Sequence, residues 1–188
     1  MSLIVSIGGF IAFSDKAEAP VLSEENNQHS MKLTLSSPDF KEGESIPSVF
    51  TCDGENIIPR LTIENVPEGT ESLVLVMDDP DIPESVKQAR GIEKFDHWVL
   101  YNIPKDTTTL SHDVLVGTSG LNTRGDAQYT GPCPPDREHR YIFRLYAVTG
   151  TLNFIQVPTL REVEEAARGM MLESAVLIGK YERTSNNR

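Results

Sequence analysis

The chain has 188 residues, enough for one domain that buries a core without a metal or a framework of disulfides. Hydrophobic residues make up 38% and charged residues 24%, which excludes a wholly disordered chain and a membrane-spanning bundle. The net charge of −11 argues against nucleic acid, whose phosphates it repels, and against unaided docking on an anionic membrane.

Residues 1–30 differ from the rest. Leu3 to Phe13 is an apolar run too short to span a bilayer, and Ala17-Glu18-Ala19 resembles a small-x-small cleavage site. A secretory signal remnant in residues 1–19 is one reading. No Lys or Arg precedes the run and Pro20 would follow the cut, so a flexible leader is the other. The chain is accordingly placed in the cytoplasm, or in the periplasm or outside the cell if the leader is a signal. Residues 31–184 are expected to form the domain, and 185–188 a tail.

From Met31 the pattern is strand-like. Leu33 and Leu35 alternate with polar residues until Pro38, Cys52-Asp53-Gly54 holds a turn, and Leu61-Thr62-Ile63 is a short strand. Ser72 to Met77 is a near-continuous apolar run, expected as a central strand buried on both faces. His97 to Ile103 and Tyr141 to Val148 are two more, and Ser174 to Tyr181 is the last. Thr159 caps a helix, with Glu162 as capping-box partner and an apolar stripe of Leu160, Val163, Ala166 and Ala167. There is no internal repeat and no second domain after residue 31.

Three segments could carry chemistry. Asp78 to Pro83 follows the buried run and is expected as a stiff acidic loop at a strand end. Asp96-His97-Trp98 opens the next strand, with an imidazole that responds near neutral pH and an indole expected in the core. Tyr129 to Pro135 is rich in Gly and Pro, so backbone N–H groups there could face an anion. His139 and Tyr141 follow, two residues apart and on one face of a strand. The cysteines, Cys52 and Cys133, sit in no CxxC pair. The plainer reading is two buried thiols, and one disulfide is the alternative in an oxidising compartment.

In the order DPDIP (79–83), DHWVLYNIP (96–104), YTGPCPP (129–135) and HRYIFRLYA (139–147), these pieces resemble the phosphatidylethanolamine-binding protein family, also called Raf kinase inhibitor-like proteins. The resemblance is to its prokaryotic YbhB/YbcL-like branch and covers about Leu33 to Arg183. It implies a mainly β fold, an antiparallel Greek-key β-sandwich with one or two peripheral helices. It also implies a non-catalytic pocket for phosphate, phosphorylethanolamine or a similar anion, lined by Asp79, Asp81, His97, Gly131, Pro132, His139 and Tyr141. In that pocket His97 and His139 would donate when protonated, Gly131 would offer its N–H and Tyr141 its hydroxyl. Asp79 and Asp81 would hold the imidazoles or meet an ammonium group. No cofactor or metal is implied. The partner is a small phosphate-bearing ligand or a phosphorylated group, with a kinase or protease as a further target; a homodimer is left open.

Two positions depart from the branch: Arg60 stands where a proline is frequent, and Met170 follows Gly169 where a His is frequent. The competing function is a hydrolase, using Cys133 with His139 as nucleophile and base, or a metal held by Asp79, Asp81 and His97. A third reading gives residues 84–95 a partner-contacting role as a charged loop or short helix, against an ordinary variable insertion.

Overall fold

The computed structural model describes residues 31–183, so the leader and its cleavage motif lie outside the described residues. The strands are β1 (Thr34–Ser36), β2 (Leu61–Glu64), β3 (Ser72–Asp79), β4 (Phe95–Pro104), β5 (Thr109–Leu110), β6 (Thr118–Ser119), β7 (His139–Val148) and β8 (Met171–Tyr181). The helices are α1 (Glu84–Arg90) and α2 (Leu160–Arg168). No helix among the described residues is long and apolar enough to cross a membrane.

Two antiparallel sheets form the sandwich. The smaller has the order β1-β2-β5 and the larger β6-β4-β3-β7-β8. In the larger sheet β3, β4 and β6 lie side by side in chain order, and β7 returns to the free side of β3. That is the Greek-key order, as expected. Strand β3 is central, and all eight of its residues are buried.

Alternation along β3 divides its side chains between two layers. Leu73, Leu75 and Met77 face the smaller sheet and meet Leu35, Leu61, Ile63 and Leu110. Val74 and Val76 face the other way, under Leu160, Val163 and Ala167 of α2. The apolar run Ser72 to Met77 therefore reflects two buried faces. Truncating Leu75, fully buried, to Ala costs about 2–5 kcal/mol.

Several boundaries move. The acidic stretch expected as a loop begins inside the sheet, because β3 runs on through Asp78 and Asp79. Buried Asp78 is held there by Lys94 and Arg144, which lets a carboxylate occupy a central strand. Strand β4 starts at Phe95, β7 at His139 and β8 at Met171. The charged 84–95 segment holds the short α1 over Glu84–Arg90, with no buried residue and no side-chain cap, and ends in the first residue of β4.

The cysteines are joined. Cys52 and Cys133 form a disulfide, with Cα atoms 5.4 Å apart across a separation of 81 residues. This replaces the expectation of two thiols: the turn at 51–54 and the Gly-Pro segment fold against each other, and Cys52 N–H also donates to Pro132 O at 3.1 Å. Arg60 has a local reason not to be proline, since its N–H donates to Asp39 Oδ2 at 2.7 Å. Met170 packs with the apolar cluster under α2.

Candidate functional site

A pocket of about 130 Å³ opens where β3, β4 and β7 meet their connecting loops. Asp79 closes β3, His97 lies near the start of β4, and Tyr141 stands on β7 two residues after His139. Ile82, Pro83, Val86, Phe95 and Pro135 make apolar walls. Thr130, Gly131 and Cys133 complete one side, and Arg124 reaches in from the loop before β7. Among the described residues, none C-terminal to Tyr141 lines it.

Asp79, only 3% exposed, is fixed on both oxygens. Its Oδ2 accepts from His139 Nδ1 at 2.7 Å, and its Oδ1 accepts from Asp81 N–H at 2.8 Å. The other nitrogen of His139 lies 2.8 Å from Asp136 Oδ1. Burial opposes charging this imidazole, but the hydrogen bonds and charges of Asp79 and Asp136 outweigh it and raise its pKa. His139 is thus an imidazolium with both N–H groups engaged. It is bonded to Asp79 and is not among the residues lining the pocket, whereas the resemblance implies a donor to ligand.

His97 differs. Its ring is 4% exposed and lies edge-on to Tyr141, with centroids 5.2 Å apart. Burial pushes its pKa down to about 4, against the raising effects of Thr130 O and Asp79; Arg124 lowers it further. At neutral pH the ring is uncharged. Nδ1–H donates to Thr130 O at 2.6 Å, so Nε2 carries the lone pair. His97 therefore offers the pocket an acceptor, whereas the resemblance implies a protonated donor.

The Gly131 N–H is also committed, donating to Asn56 Oδ1 at 2.8 Å. Glycine is required here by close approach: a Cβ would fall 2.4 Å from Phe50 O and 2.5 Å from Asn56 Oδ1. Pro132 lies behind the wall, where its carbonyl accepts from Cys52. Asp81 points away and grips Arg140, with Oδ2 2.8 Å from Nε and Oδ1 2.8 Å from Nη2. The guanidinium holds its pKa down to about 2.

Among the described residues, Tyr141 carries the one buried side-chain polar atom of the pocket wall that has no hydrogen-bond partner. Its side chain is fully buried, and its hydroxyl has no hydrogen-bond partner. The Cys133 N–H is directed toward that oxygen without closing an ordinary hydrogen bond. Burial raises the phenol pKa, so the hydroxyl keeps its proton and can donate.

The hydrolase alternative loses its parts in this geometry. Cys133 has no thiol to ionise, and His139 is saturated by carboxylates. Asp81 is paired with Arg140, and no group of three or more candidate ligands among the described residues could hold a metal ion.

Four of the seven expected residues, Asp79, His97, Gly131 and Tyr141, meet on one wall; Asp81, Pro132 and His139 buttress it. Arg124 and the apolar wall residues were not read from the sequence. Arg124 sits in a polar stretch, NTRGDAQ, that carries no periodicity; the Gly125 turn was its only signal.

Fold and pocket together define an antiparallel β-sandwich with a small buried site at the end of its central strands. The family model described as phosphatidylethanolamine-binding protein matches residues 36–182, and the chain belongs to that family. It is 39% identical to a UPF0098 protein of Chlamydia pneumoniae over 81% of this chain and 100% of that one. A UPF0098 protein of Aquifex aeolicus is 42% identical over 80% of this chain and 89% of its own length. Among solved structures, a phosphatidylethanolamine-binding protein homologue of Chlamydia trachomatis superposes with a TM-score of 0.77 at 36% identity, covering 81% of this chain and 99% of that one. Escherichia coli YbcL, described as a member of the mammalian family, gives 0.71 at 26% identity, covering 82% and 100%.

Proposed function

We propose that the chain is a non-catalytic binding protein whose pocket takes a small phosphate-bearing molecule of the size and polarity of phosphorylethanolamine. The observation that carries this is the Tyr141 hydroxyl, fully buried, on the pocket wall and without a partner. A buried donor left unsatisfied costs about 1–3 kcal/mol, and a ligand oxygen would relieve that cost. Asp79 and the His97 Nε2 are acceptors, so they suit an ammonium group or a protonated phosphate oxygen. The pocket is small, and its rigid frame of proline and disulfide suits recognition of a head group more than of an acyl chain. Control of a kinase or protease would follow from such binding if the phosphate belongs to a protein partner.

The test is titration of the full chain with inorganic phosphate and O-phosphorylethanolamine, followed by the NMR signals of His97 and Tyr141. Saturable shifts at both rings, absent for His112 outside the pocket, are expected. Unmoved His97 and Tyr141 signals at millimolar ligand would sink the binding reading.

A further inference from the structure

The pocket must take an anion in a setting that repels anions. The chain carries a net charge of −11, Asp79 lies on the wall, and Asp81 and Asp136 stand close behind it. The groups named from the sequence do not supply a free positive charge. His139 gives both N–H groups to carboxylates, His97 is neutral, and the Gly131 N–H belongs to Asn56. The nearby cations are engaged as well. Arg140 is held by Asp81, and Arg137 donates to the carbonyls of Asp81 and Glu138. Lys94 and Arg144 bind Asp78, which points to the opposite face of the sheet.

Arg124 is the exception. It lines the pocket, and among the described residues its guanidinium has no hydrogen-bond or ion-pair partner. It is exposed, whereas Asp79, His97 and Tyr141 are buried, so it stands at the mouth. Its charge nevertheless reaches the His97 ring and lowers that ring's proton affinity.

The backbone that presents it is built. Asn122 is 5% exposed, and its Oδ1 accepts from Arg124 N–H at 2.9 Å and from Asp126 N–H at 3.1 Å. Its Nδ2 donates to Gln128 O at 3.1 Å and to Thr130 Oγ1 at 3.0 Å. Gly125 supplies the positive φ, +86°, that closes the turn. Thr130 is itself a wall residue, and its carbonyl holds His97. One buried amide therefore fixes both the arginine and the wall it faces.

We propose that Arg124 is the charge-selecting residue of this pocket: it takes the anionic oxygens of a phosphate-bearing ligand at the mouth, while Asp79 and the His97 Nε2 face the ligand's donor end. The proposal rests on the binding reading above and adds an orientation to it. A guanidinium suits this task because its planar fork can meet two phosphate oxygens at once. It also explains how a pocket walled by a carboxylate tolerates an anion, since the ligand's negative end stays away from Asp79.

The experiment is calorimetric titration of the full chain and of R124Q and R124K with inorganic phosphate, O-phosphorylethanolamine and ethanolamine. The His97 ring is followed by NMR across pH. R124Q is expected to weaken both phosphate-bearing probes about tenfold, the worth of a charge-assisted contact, and R124K to recover part of that loss. Ethanolamine, which lacks the anion, should bind R124Q no more weakly than wild type. In the free protein R124Q should raise the His97 pKa, because the charge that lowers it is gone; a merely structural arginine would not move it that way. R124Q with wild-type affinity for both phosphate probes would overturn the role of Arg124 and leave the binding reading standing. A wild-type chain that binds neither phosphate probe would overturn the binding reading itself, and the charge-selecting role with it.

Discussion

Tyr141 sets stability against binding within one side chain. Its ring packs in the core beside His97, while its hydroxyl is buried without a partner. Tyr141→Phe removes only that hydroxyl. The unfolding free energy should stay level or rise by up to about 1 kcal/mol, because an unsatisfied group has left the interior. Affinity for O-phosphorylethanolamine should fall at the same time. Denaturant unfolding and calorimetry on the same variant check both; a variant that unfolds more easily and binds normally would return the hydroxyl to the fold. His97 and Asp96 give a second test, since they respond to acid with opposite signs. His97 is held down to about 4 from 6.5, so the unfolded chain binds the extra proton in that window and stability falls as pH drops from 6.5 toward 4. Burial raises Asp96 to about 6 from 3.8, so the folded chain binds the extra proton and stability falls as pH rises from 3.8 toward 6. The two effects largely cancel between pH 4 and 6. Asp96→Asn should therefore be more stable than wild type at pH 7, by on the order of 2 kcal/mol, and should lose that advantage by pH 4. His97→Gln should lose less stability than wild type on acidification over the same range. Unfolding free energies at pH 4, 5.5 and 7 decide it, and parallel profiles for all three proteins would reject the assignment.

At the scale of elements, the two helices contrast. Helix α2 carries the capping box expected from Thr159 and Glu162 and buries Leu160, Val163 and Ala167 against the sheet. Thr159→Ala should cost about 1 kcal/mol in chemical unfolding, and restoring the cap with Ser should recover most of it. Helix α1 buries none of its residues and has no side-chain cap, so its amides should exchange with deuterium well before those of α2. Equal protection of the two would mean that α1 is held by something other than its own packing. The same contrast explains what could be read in advance. Strands with two buried faces show as apolar runs, and a capped helix over a sheet shows as a stripe. Asp78, Asp79 and His139 extend strands with polar residues, and their place in the sheet depends on ion pairs with Lys94, Arg144 and Asp136, which come from other elements. The two-residue strands β5 and β6 are too short to carry a period. Of the site, Asp79, His97 and Tyr141 were legible because each lies at or within two residues of the end of a recognisable strand. The orientation of Asp81, the commitment of the Gly131 N–H and the reach of Arg124 were not, because each depends on a loop partner far away or unmarked in the chain.

For the molecule as a whole, the disulfide connects the fold to the site. It ties the segment carrying Asn56 to the segment carrying Gly131, which lines the pocket and is held from behind by the Asn56 amide. Pro132 O to Cys52 N–H, and Tyr129 Oη to Phe50 O at 2.8 Å, join the same two stretches. Closing a loop across a separation of 81 residues restricts the unfolded chain, by about 4.5 kcal/mol on the chain-entropy estimate. The noncovalent contacts between the two stretches remain when the bond is cut, so the folded sandwich should survive at lower stability. The double variant C52S/C133S should therefore unfold at a clearly lower denaturant midpoint, with an m-value somewhat above that of wild type because its unfolded chain is no longer cross-linked, and a dithiol reductant should shift wild type in the same direction. Binding should weaken as well. With the tether gone, the Asn56 amide and the Gly131 backbone hold each other only by their hydrogen bond, and the wall facing Tyr141 gains freedom that a ligand must remove. If reduction left both the midpoint and the phosphate affinity unmoved, the packing of the two stretches alone would hold the wall, and the disulfide would contribute nothing to the pocket.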